Sequence, residues 1–247
     1  MASKKEAAGR TRTIVGTSGY SYREWKGTFY PSNLPSSEML RYYSERFSTV
    51  EINNTFYRMP KPAILEKWPL QVPPDFTFVL KASQRITHLK RLKDVGDDVS
   101  YFLDTASILG DRLGPVLFQL PPFLRKDLPR LTDFLDAVPK TSRIAFEFRH
   151  ESWFDDAVYA ALQACGAALC VSDTEEECTP IVPTAGWGYL RLRRCDYAGP
   201  DLERWRDTIF AQGWREAFVF FKHEDAGTGP KLAAEFISVA CPAGVQE

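Results

Sequence analysis

The sequence has few residues of the kinds that mark metal centres and disulfide frameworks. It contains three histidines and five cysteines, and no two cysteines form a C-x-x-C pair. Neither a zinc ribbon nor a disulfide scaffold is therefore indicated, and we expect the cysteines to be reduced thiols of a cytoplasmic protein. The H-E-x-x-H motif of zinc proteases is also absent from the sequence.

Long apolar runs and an excess of charge of one sign are missing as well. No apolar stretch approaches the roughly 20 residues of a membrane span, and none follows the basic start of the chain, so we expect neither a membrane anchor nor a secretory signal. The formal net charge is −1, from 31 Lys and Arg against 32 Asp and Glu. This balance excludes a uniformly basic surface for nucleic acid, so any anion site must be local.

Strand-like and helix-like segments alternate along the chain. Eight short runs of β-branched and aromatic residues are bounded by Gly, Pro and Asp, a pattern typical of buried strands. They cover residues 13–18, 49–53, 76–82, 115–120, 143–149, 168–173, 189–193 and 217–223. One helical pattern follows Ser36 and another begins near Asp97. Further helices are predicted over residues 61–69, 129–137, 154–165, 201–212 and 231–239. No convincing helix follows the sixth strand, because prolines and glycines interrupt it.

Eight alternating units without a linker predict an α/β fold, a single (β/α)8 barrel of TIM type. We expect this one domain to cover residues 13–247, after a disordered basic tail at residues 1–12. An open, doubly wound sheet is the alternative. The G-x-G-x-x-G motif of dinucleotide-binding sheets does not follow the first strand, which favours the barrel.

Side-chain alternation along each strand predicts which residues point to the barrel axis. In residues 143–149 the large apolar Ile144, Phe146 and Phe148 suit the helix layer, which leaves Glu147 and Arg149 pointing inward. Applied to the other strands, the rule predicts a polar ring at the C-terminal mouth, where enzymes of this fold have their active sites. The ring consists of Glu51, Lys81, Gln119, Glu147, Asp173 and Arg191, with Asn53 and Arg149 about one layer above.

The predicted ring has two interpretations. Unpaired charges in such an interior cost several kcal/mol each, so they need partners or a ligand. Three acidic and three basic side chains are present, and a self-neutralising structural network is the simpler reading. The loops above the ring, however, look suited to form a pocket for a ligand.

Aromatic residues in those loops are candidates for stacking on a sugar or a nucleobase. Tyr20 follows the first strand, Tyr57 the second and Trp153 the fifth. Aromatic faces above a polar cleft suit such ligands, although the same residues also suit packing at helix ends. His88 lies in a basic segment, residues 81–94, which is typical either of a phosphate clamp or of a solvated loop.

A metal site is a further possibility at the same mouth. Glu147 and Asp173 lie on neighbouring predicted strands, which are about 4.8 Å apart in a sheet. Two carboxylates at that spacing suit an oxygen-ligated ion such as magnesium or manganese. The nearby Lys81 and Arg191 already supply positive charge, so no cofactor is required by the sequence.

Several ordered motifs resemble those of a known family, the YecE-like proteins, or domain of unknown function 72. The similar stretches are residues 16–31, 47–60, 78–88, 113–122, 145–154, 171–174 and 189–192, within a region from about Thr13 to about Phe236. The resemblance implies a TIM barrel and no established activity. Members of that family are expected to have a His-Gly pair where this chain has Arg193 and Arg194, and an asparagine near Lys222 and His223.

The leading functional hypothesis is a hydrolase for an anionic substrate, either a phosphorylated sugar or a nucleic-acid-type molecule. Glu147 is expected to be the general acid or base, because a carboxylate beside Asp173 should have a raised pKa. Glu51 provides a second carboxylate from across the barrel. The expected substrate-binding residues are Lys81, Arg149, Arg191, Asn53, Gln119, Tyr20, Tyr57, His88 and Trp153.

Two other classes of function remain open from the sequence. In the first, the same ring binds an anion or a nucleic-acid end without chemistry. In the second, the protein is a metal-dependent isomerase or endonuclease of barrel type. All three hypotheses assume a small-molecule or phosphate-bearing ligand, with nucleic acid as a possible partner and no membrane.

Overall fold

Eight parallel strands close into one barrel in the structure, a computed structural model that describes residues 11–58, 61–223 and 225–240. In chain order the strands are β1 Arg12–Ser18, β2 Thr49–Ile52, β3 Thr77–Lys81, β4 Leu113–Gln119, β5 Ile144–Glu147, β6 Ala168–Asp173, β7 Trp187–Leu192 and β8 Glu216–Phe221. Each strand pairs with the next, and β1 pairs with β8 from Arg12 opposite Glu216 to Thr17 opposite Phe221. The predicted (β/α)8 barrel is therefore confirmed, and the open-sheet alternative is wrong.

Helices cover the outside of the barrel. They are α1 Met39–Ser44, α2 Asn54–Tyr57, α3 Pro62–Leu65, α4 Gly96–Ala106, α5 Leu128–Ala137, α6 Asp156–Cys165, α7 Gly199–Ala211 and α8 Thr228–Ala240. As predicted, residues 174–186 join β6 to β7 without a helix. None of the helices in the described ranges has the length and apolar character of a membrane span.

The chain enters the barrel at its first described residues. Thr11 is buried and donates a hydrogen bond from its hydroxyl to the carbonyl oxygen of Trp214, and β1 already begins at Arg12. Thr11 and Arg12, the last two residues of the predicted tail, therefore belong to the barrel. Its residues 1–10 lie outside the described residues.

Two apolar layers follow the side-chain alternation of the strands. The outer layer packs the strands against the helices and includes Ile144, Phe146 and Phe148 of β5. The inner layer fills the barrel itself with small and large residues in combination, which suits a tapered interior. It consists of Ile14, Val79, Leu117, Ala145, Ala168, Cys170, Tyr189, Phe218 and Phe220. Above this layer, at the C-terminal mouth, the inward-facing side chains become polar, beginning with the Tyr189 hydroxyl and its partner Glu51.

Candidate functional site

Arg191 is the centre of the polar ring. It lies on β7, and its two terminal nitrogens bind carboxylates on two other strands: Nη1 lies 2.6 Å from Glu147 Oε2 on β5, and Nη2 lies 2.9 Å from Glu51 Oε1 on β2. The Tyr189 hydroxyl donates to Glu51 Oε2 over 2.6 Å. Glu51 is 0% exposed, so this half of the ring is sealed beneath the mouth and cannot contact a ligand directly.

Gln119 extends the ring from Glu147 to Lys81. The amide nitrogen of Gln119 donates to Glu147 Oε1 over 2.8 Å, and its amide oxygen accepts from Lys81 Nζ over 2.8 Å. Lys81 Nζ also lies 4.2 Å from the centre of the Phe56 ring, a cation–π geometry. The structure thus brings together five residues of the predicted ring, joined in one hydrogen-bonded chain across the barrel.

The two carboxylates of this chain are held in their ionised form. Burial alone raises the pKa of Glu147, but the charge of Arg191, the Gln119 hydrogen bond and the charge of Arg193 outweigh it and lower that pKa to about 2. The pKa of Glu51 is also lowered: burial opposes the shift, and Arg191 and the Tyr189 hydroxyl drive it. The expected raised pKa of Glu147 is therefore wrong, because its nearest charged neighbour is an arginine.

Lys81 is the group of the ring whose pKa lies nearest neutrality. Burial lowers its pKa from the usual 10.5 to about 8, and the positive charge of Arg191 acts in the same direction. The negative charges of Glu147 and Glu51 oppose this shift, but neither carboxylate forms a direct ion pair with Lys81. A pKa near the working pH is the property that proton-transfer groups need.

A pocket of about 330 Å³ opens beside this chain, between the ends of β5, β6 and β7 and the β6–β7 connection. Its lining residues are Glu147, Phe148, Arg149, Ser172, Thr174, Glu175, Glu176, Glu177, Thr179 and Arg193. Arg193 contributes a long contact of 3.8 Å to Glu147 Oε1. Over the described part of the chain, no carboxylate lies within ion-pair distance of Arg149. The predicted position of Arg149 above the ring thus coincides with an open cavity.

Asp173 is not part of the ring, which corrects its predicted inward position. Its carboxylate faces the helix layer, where Oδ2 accepts from the Tyr197 hydroxyl over 2.6 Å and from Trp205 Nε1 over 3.2 Å. Ser172, the residue before it, points into the mouth instead. The prediction failed because Asp173 was placed by its position at the strand end, whereas alternation from the inward Cys170 selects Ser172.

The correction removes the carboxylate pair that suggested magnesium or manganese. Asp173 and Glu147 face different layers of the barrel, so they do not form a common binding site for an ion. In the described ranges, no group of three or more His, Cys, Asp and Glu side chains is arranged to hold a metal.

The predicted aromatic contacts divide into buried and exposed residues. Trp153 is buried, stacks on Phe148 with ring centres 4.8 Å apart, and donates from Nε1 to the Leu124 carbonyl oxygen, so its prediction as a ligand contact is wrong. Tyr57 is 72% exposed at the end of α2. Tyr20 and Asn53 are half-buried near the mouth. These three remain available to a ligand.

His88 lies in an unusual segment beside Lys81. Residues Arg85–Leu89 form a π-helix, a conformation often found at functional sites. The His88 ring meets Phe56 edge to face, with centres 4.9 Å apart, so both Lys81 and His88 pack on one aromatic side chain. Burial lowers the pKa of His88, and the charges of Lys81 and Arg149 lower it further. His88 and Lys81 therefore lie side by side against the Phe56 ring.

Backbone strain accompanies this segment. Arg91, Leu92 and Asp94 all have positive φ angles, at 53°, 66° and 50°. Left-handed conformations cost energy in residues with a side chain, and they persist where the surrounding structure holds them. Leu92 and Val95 are buried and hold the loop against the core, whereas the basic side chains of Arg91 and Lys93 are exposed.

Sequence reasoning missed the residues that complete the pocket. Ser172 was detectable by strand alternation. Glu175, Glu176 and Glu177 carried a signal in their charge, but nothing in the sequence shows that the connection after β6 turns back over the mouth.

Comparisons with known proteins agree with the barrel fold and with the resemblance of the sequence motifs to the YecE-like family. The family model described as "Protein of unknown function DUF72" matches residues 14–244. The chain is 37% identical to UPF0759 protein YecE of Escherichia coli (strain K12) over 116 residues, 47% of this chain and 43% of YecE. It is 25% identical to UPF0759 protein YunF of Bacillus subtilis (strain 168) over 228 residues, covering 78% of YunF. The aligned region thus spans less than half the length of YecE.

Solved structures show the same architecture. A DUF72 family protein from Thermotoga maritima MSB8 matches with a TM-score of 0.74 and 26% identity, over 91% of this chain and 97% of that one. A DUF72 family protein from Enterococcus faecalis V583 matches with a TM-score of 0.75 and 16% identity, over 92% of this chain and 95% of that one. The second match supports the fold alone.

Proposed function

Since this chain belongs to the family described as "Protein of unknown function DUF72", whose description carries no activity, we propose a function from the site alone. We propose that the barrel binds a small anionic substrate at its C-terminal mouth and hydrolyses it. A phosphorylated sugar or a nucleotide is the class of substrate that the site fits. Arg149 and Arg193 hold the anionic group, and His88 assists from the neighbouring loop.

Two arginines at the pocket that have no close carboxylate partner among the residues that the structure describes are the observation that carries this proposal. Glu51 and Glu147 both bind Arg191, at 2.9 and 2.6 Å, so the two carboxylates and this arginine already have partners within the ring. Arg193 makes only the 3.8 Å contact to Glu147, and Arg149 has no carboxylate partner among the described side chains. Arginines at the rim of an open pocket are suited to bind a phosphate or carboxylate in a bidentate manner.

Lys81 takes the proton-transfer role in this proposal. Glu147, with a pKa of about 2, is a weak base and holds no proton near neutral pH, so it positions Arg191 and Gln119 instead. Lys81, with a pKa of about 8, carries a proton that it can donate to a leaving group. Asn53, Tyr20 and Tyr57 are left to orient the uncharged part of the substrate.

Binding and turnover are measured separately. We expect inorganic phosphate, glucose 6-phosphate and AMP to bind in calorimetric titrations, and Arg193→Ala and Arg149→Ala each to weaken binding about tenfold or more, the loss of one charged contact. Arg41→Ala, on the exposed face of α1, is the matched control and should leave binding unchanged. Release of phosphate is followed by ³¹P NMR.

Each outcome of this experiment decides between the functions. No binding of any of the three anions would overturn the proposal. Binding that is lost in the arginine variants, but without release of phosphate from either ester, would overturn hydrolysis of these substrates and favour a non-catalytic anion-binding module. Equal losses in the Arg41→Ala control would show that the pocket is not the binding site.

A further inference from the structure

The pocket at the mouth has two walls of opposite charge. Arg149 and Arg193 line it from the ends of β5 and β7, whereas the β6–β7 connection contributes three consecutive glutamates, residues 175–177. The fourth acidic lining residue, Glu147, lies on the arginine side and is already bound by Arg191. The remaining charges of the pocket are therefore positive on one wall and negative on the other.

A turn fixes the acidic wall in place. The Thr174 amide donates to the Glu177 carbonyl oxygen over 2.9 Å, and the Glu177 amide donates to the Thr174 hydroxyl over 3.0 Å. The Thr179 amide donates to the Ser172 carbonyl oxygen over 3.0 Å, which ties the connection back to β6. The glutamate backbone therefore keeps a defined position above the pocket, and the three side chains are exposed to it and to solvent.

Ser172 is an independent sign that the pocket holds a ligand. It is only 8% exposed, lies at the inward-facing end of β6, and lines the cavity between the two walls. Its hydroxyl has no hydrogen-bond partner within the described ranges of the chain. Because this hydroxyl faces the cavity and can both donate and accept a hydrogen bond, it is suited to bind a ligand atom there.

We propose that the natural substrate carries an ammonium group as well as an anionic group, as an amino sugar phosphate or an aminoalkyl phosphate does. The inference rests on the proposed function and narrows its substrate class. The anionic group binds Arg149 and Arg193, the ammonium group faces the glutamates, and a hydroxyl or phosphate oxygen binds Ser172. A cavity of about 330 Å³ lies at the small end of ligand sites, which suits a molecule of monosaccharide size.

Two matched pairs of compounds test the amine directly. Glucosamine 6-phosphate differs from glucose 6-phosphate only by an ammonium group in place of one hydroxyl. Phosphoethanolamine differs from ethyl phosphate only by an ammonium group in place of one hydrogen. We expect the amine to bind at least fivefold more tightly than its partner in each pair at low salt. The preference should shrink as salt is added, because the glutamates are exposed and their interactions are screened.

Replacing the acidic wall tests where the amine lies. Glu175→Gln/Glu176→Gln/Glu177→Gln should remove the preference for the amine and leave the affinity for glucose 6-phosphate unchanged or higher. A control variant with three exposed glutamates changed elsewhere, Glu45→Gln/Glu66→Gln/Glu203→Gln, should keep the preference. The single variant Glu176→Gln guards against an effect of the triple change on the turn, which thermal unfolding also monitors.

The outcomes separate this inference from the proposed function. Equal affinities within both pairs would overturn the inference and leave the anionic-substrate proposal intact. Binding of phosphate or AMP, but of neither amine, would do the same. A preference that survives the triple variant would overturn the role of the glutamates. Failure of every phosphate compound to bind would overturn the proposed function itself.

Discussion

Lys81 retains a positive charge in a place where little stabilises it. It is 8% exposed, its Nζ donates to the neutral Gln119 oxygen, and the Phe56 ring covers another side. No carboxylate lies within ion-pair distance of it in the part of the chain that the structure describes. Desolvation without a compensating anion disfavours the charged form, which is why its pKa falls to about 8.

We predict that the stability contributed by Lys81 depends on pH in the alkaline range. Below about pH 8 the lysine is protonated in both states, but between pH 8 and 10.5 the folded state has lost a proton that the unfolded state keeps. The free energy of unfolding of the wild type should therefore rise relative to that of Lys81→Met, by up to about 3 kcal/mol. Urea titrations of both proteins at pH 7, 8, 9 and 10 measure this difference in the free energy of unfolding.

Lys93→Met is the control for the loss of a lysine, because Lys93 is exposed on the segment that follows β3. The difference in the free energy of unfolding between Lys93→Met and the wild type should stay constant over the same pH series. A constant difference for Lys81→Met as well would contradict the depressed pKa, and with it the proton-transfer role that we assign to this residue.

At the residue scale, strand alternation predicted most of the ring. It placed Glu51, Lys81, Gln119, Glu147 and Arg191 on the inner face, and all five are joined there. The protonation states of these residues could not be predicted from the sequence, because they depend on which charged groups come into contact across the barrel. Glu147 illustrates this: its sequence neighbours gave no sign that an arginine 44 residues later binds it.

The seam between β1 and β2 depends on a very close approach of the two strands. Gly16 lies opposite Thr49, and a Cβ atom added to Gly16 would lie 2.1 Å from the Thr49 carbonyl oxygen. That oxygen also accepts a hydrogen bond from the Tyr43 hydroxyl of α1 over 3.0 Å, and the Thr17 amide donates to the same hydroxyl over 2.8 Å. Neither strand is therefore free to move aside.

We predict that Gly16→Ala destabilises the protein by at least about 2 kcal/mol, because overpacking in a rigid seam forces the backbone apart. Gly96→Ala is the matched control. Gly96 begins α4, and an added Cβ meets nothing within 4 Å there, so the change should be neutral or stabilising by up to about 1 kcal/mol. Urea unfolding compares the two. Equal stabilities of both variants would show that the seam relaxes.

At the element scale, apolar periodicity located all eight strands, and the lack of a helix after β6 was also predicted from its prolines and glycines. The boundaries were less accurate: the helix predicted over residues 61–69 is the shorter α3, Pro62–Leu65. The position of the β6–β7 connection over the mouth was not predictable, because it depends on the Thr174–Glu177 turn and on the Thr179 hydrogen bond to the Ser172 carbonyl oxygen, which the composition of the segment does not indicate.

The whole barrel is tied together across its axis by one guanidinium group. Arg191 joins β7 to β2 and β5, strands that are not its neighbours in the sheet. The eight-unit alternation was enough to predict closure from the sequence, but it carries no information on which strands are linked through the interior. The closed sheet provides the frame, and the ion pairs add a link that any opening of the barrel would break.

Removing that link should weaken the entire molecule. We predict that Arg191→Met lowers the free energy of unfolding by about 3–5 kcal/mol at pH 7, because it leaves two buried carboxylates without their counterion. Glu51→Gln/Glu147→Gln/Arg191→Met should recover most of this loss, since no uncompensated charge then remains. Arg204→Met, at an exposed pair with Asp201 on α7, is the control and should change stability by less than about 1 kcal/mol.

The pH dependence of the Arg191→Met defect distinguishes a lost ion pair from a lost packing contact. In the wild type, the lowered pKa of Glu147 contributes stability above about pH 4.5 that disappears as the pH falls towards 2. Without the arginine, burial raises the pKa of both carboxylates, so the variant instead loses stability as the pH rises through those raised values. The difference in the free energy of unfolding between the wild type and Arg191→Met should therefore increase from pH 4 to pH 7 in urea titrations. A gap of constant size, together with a triple variant no more stable than Arg191→Met, would show that the arginine acts by filling space and that its charge does not hold the barrel together.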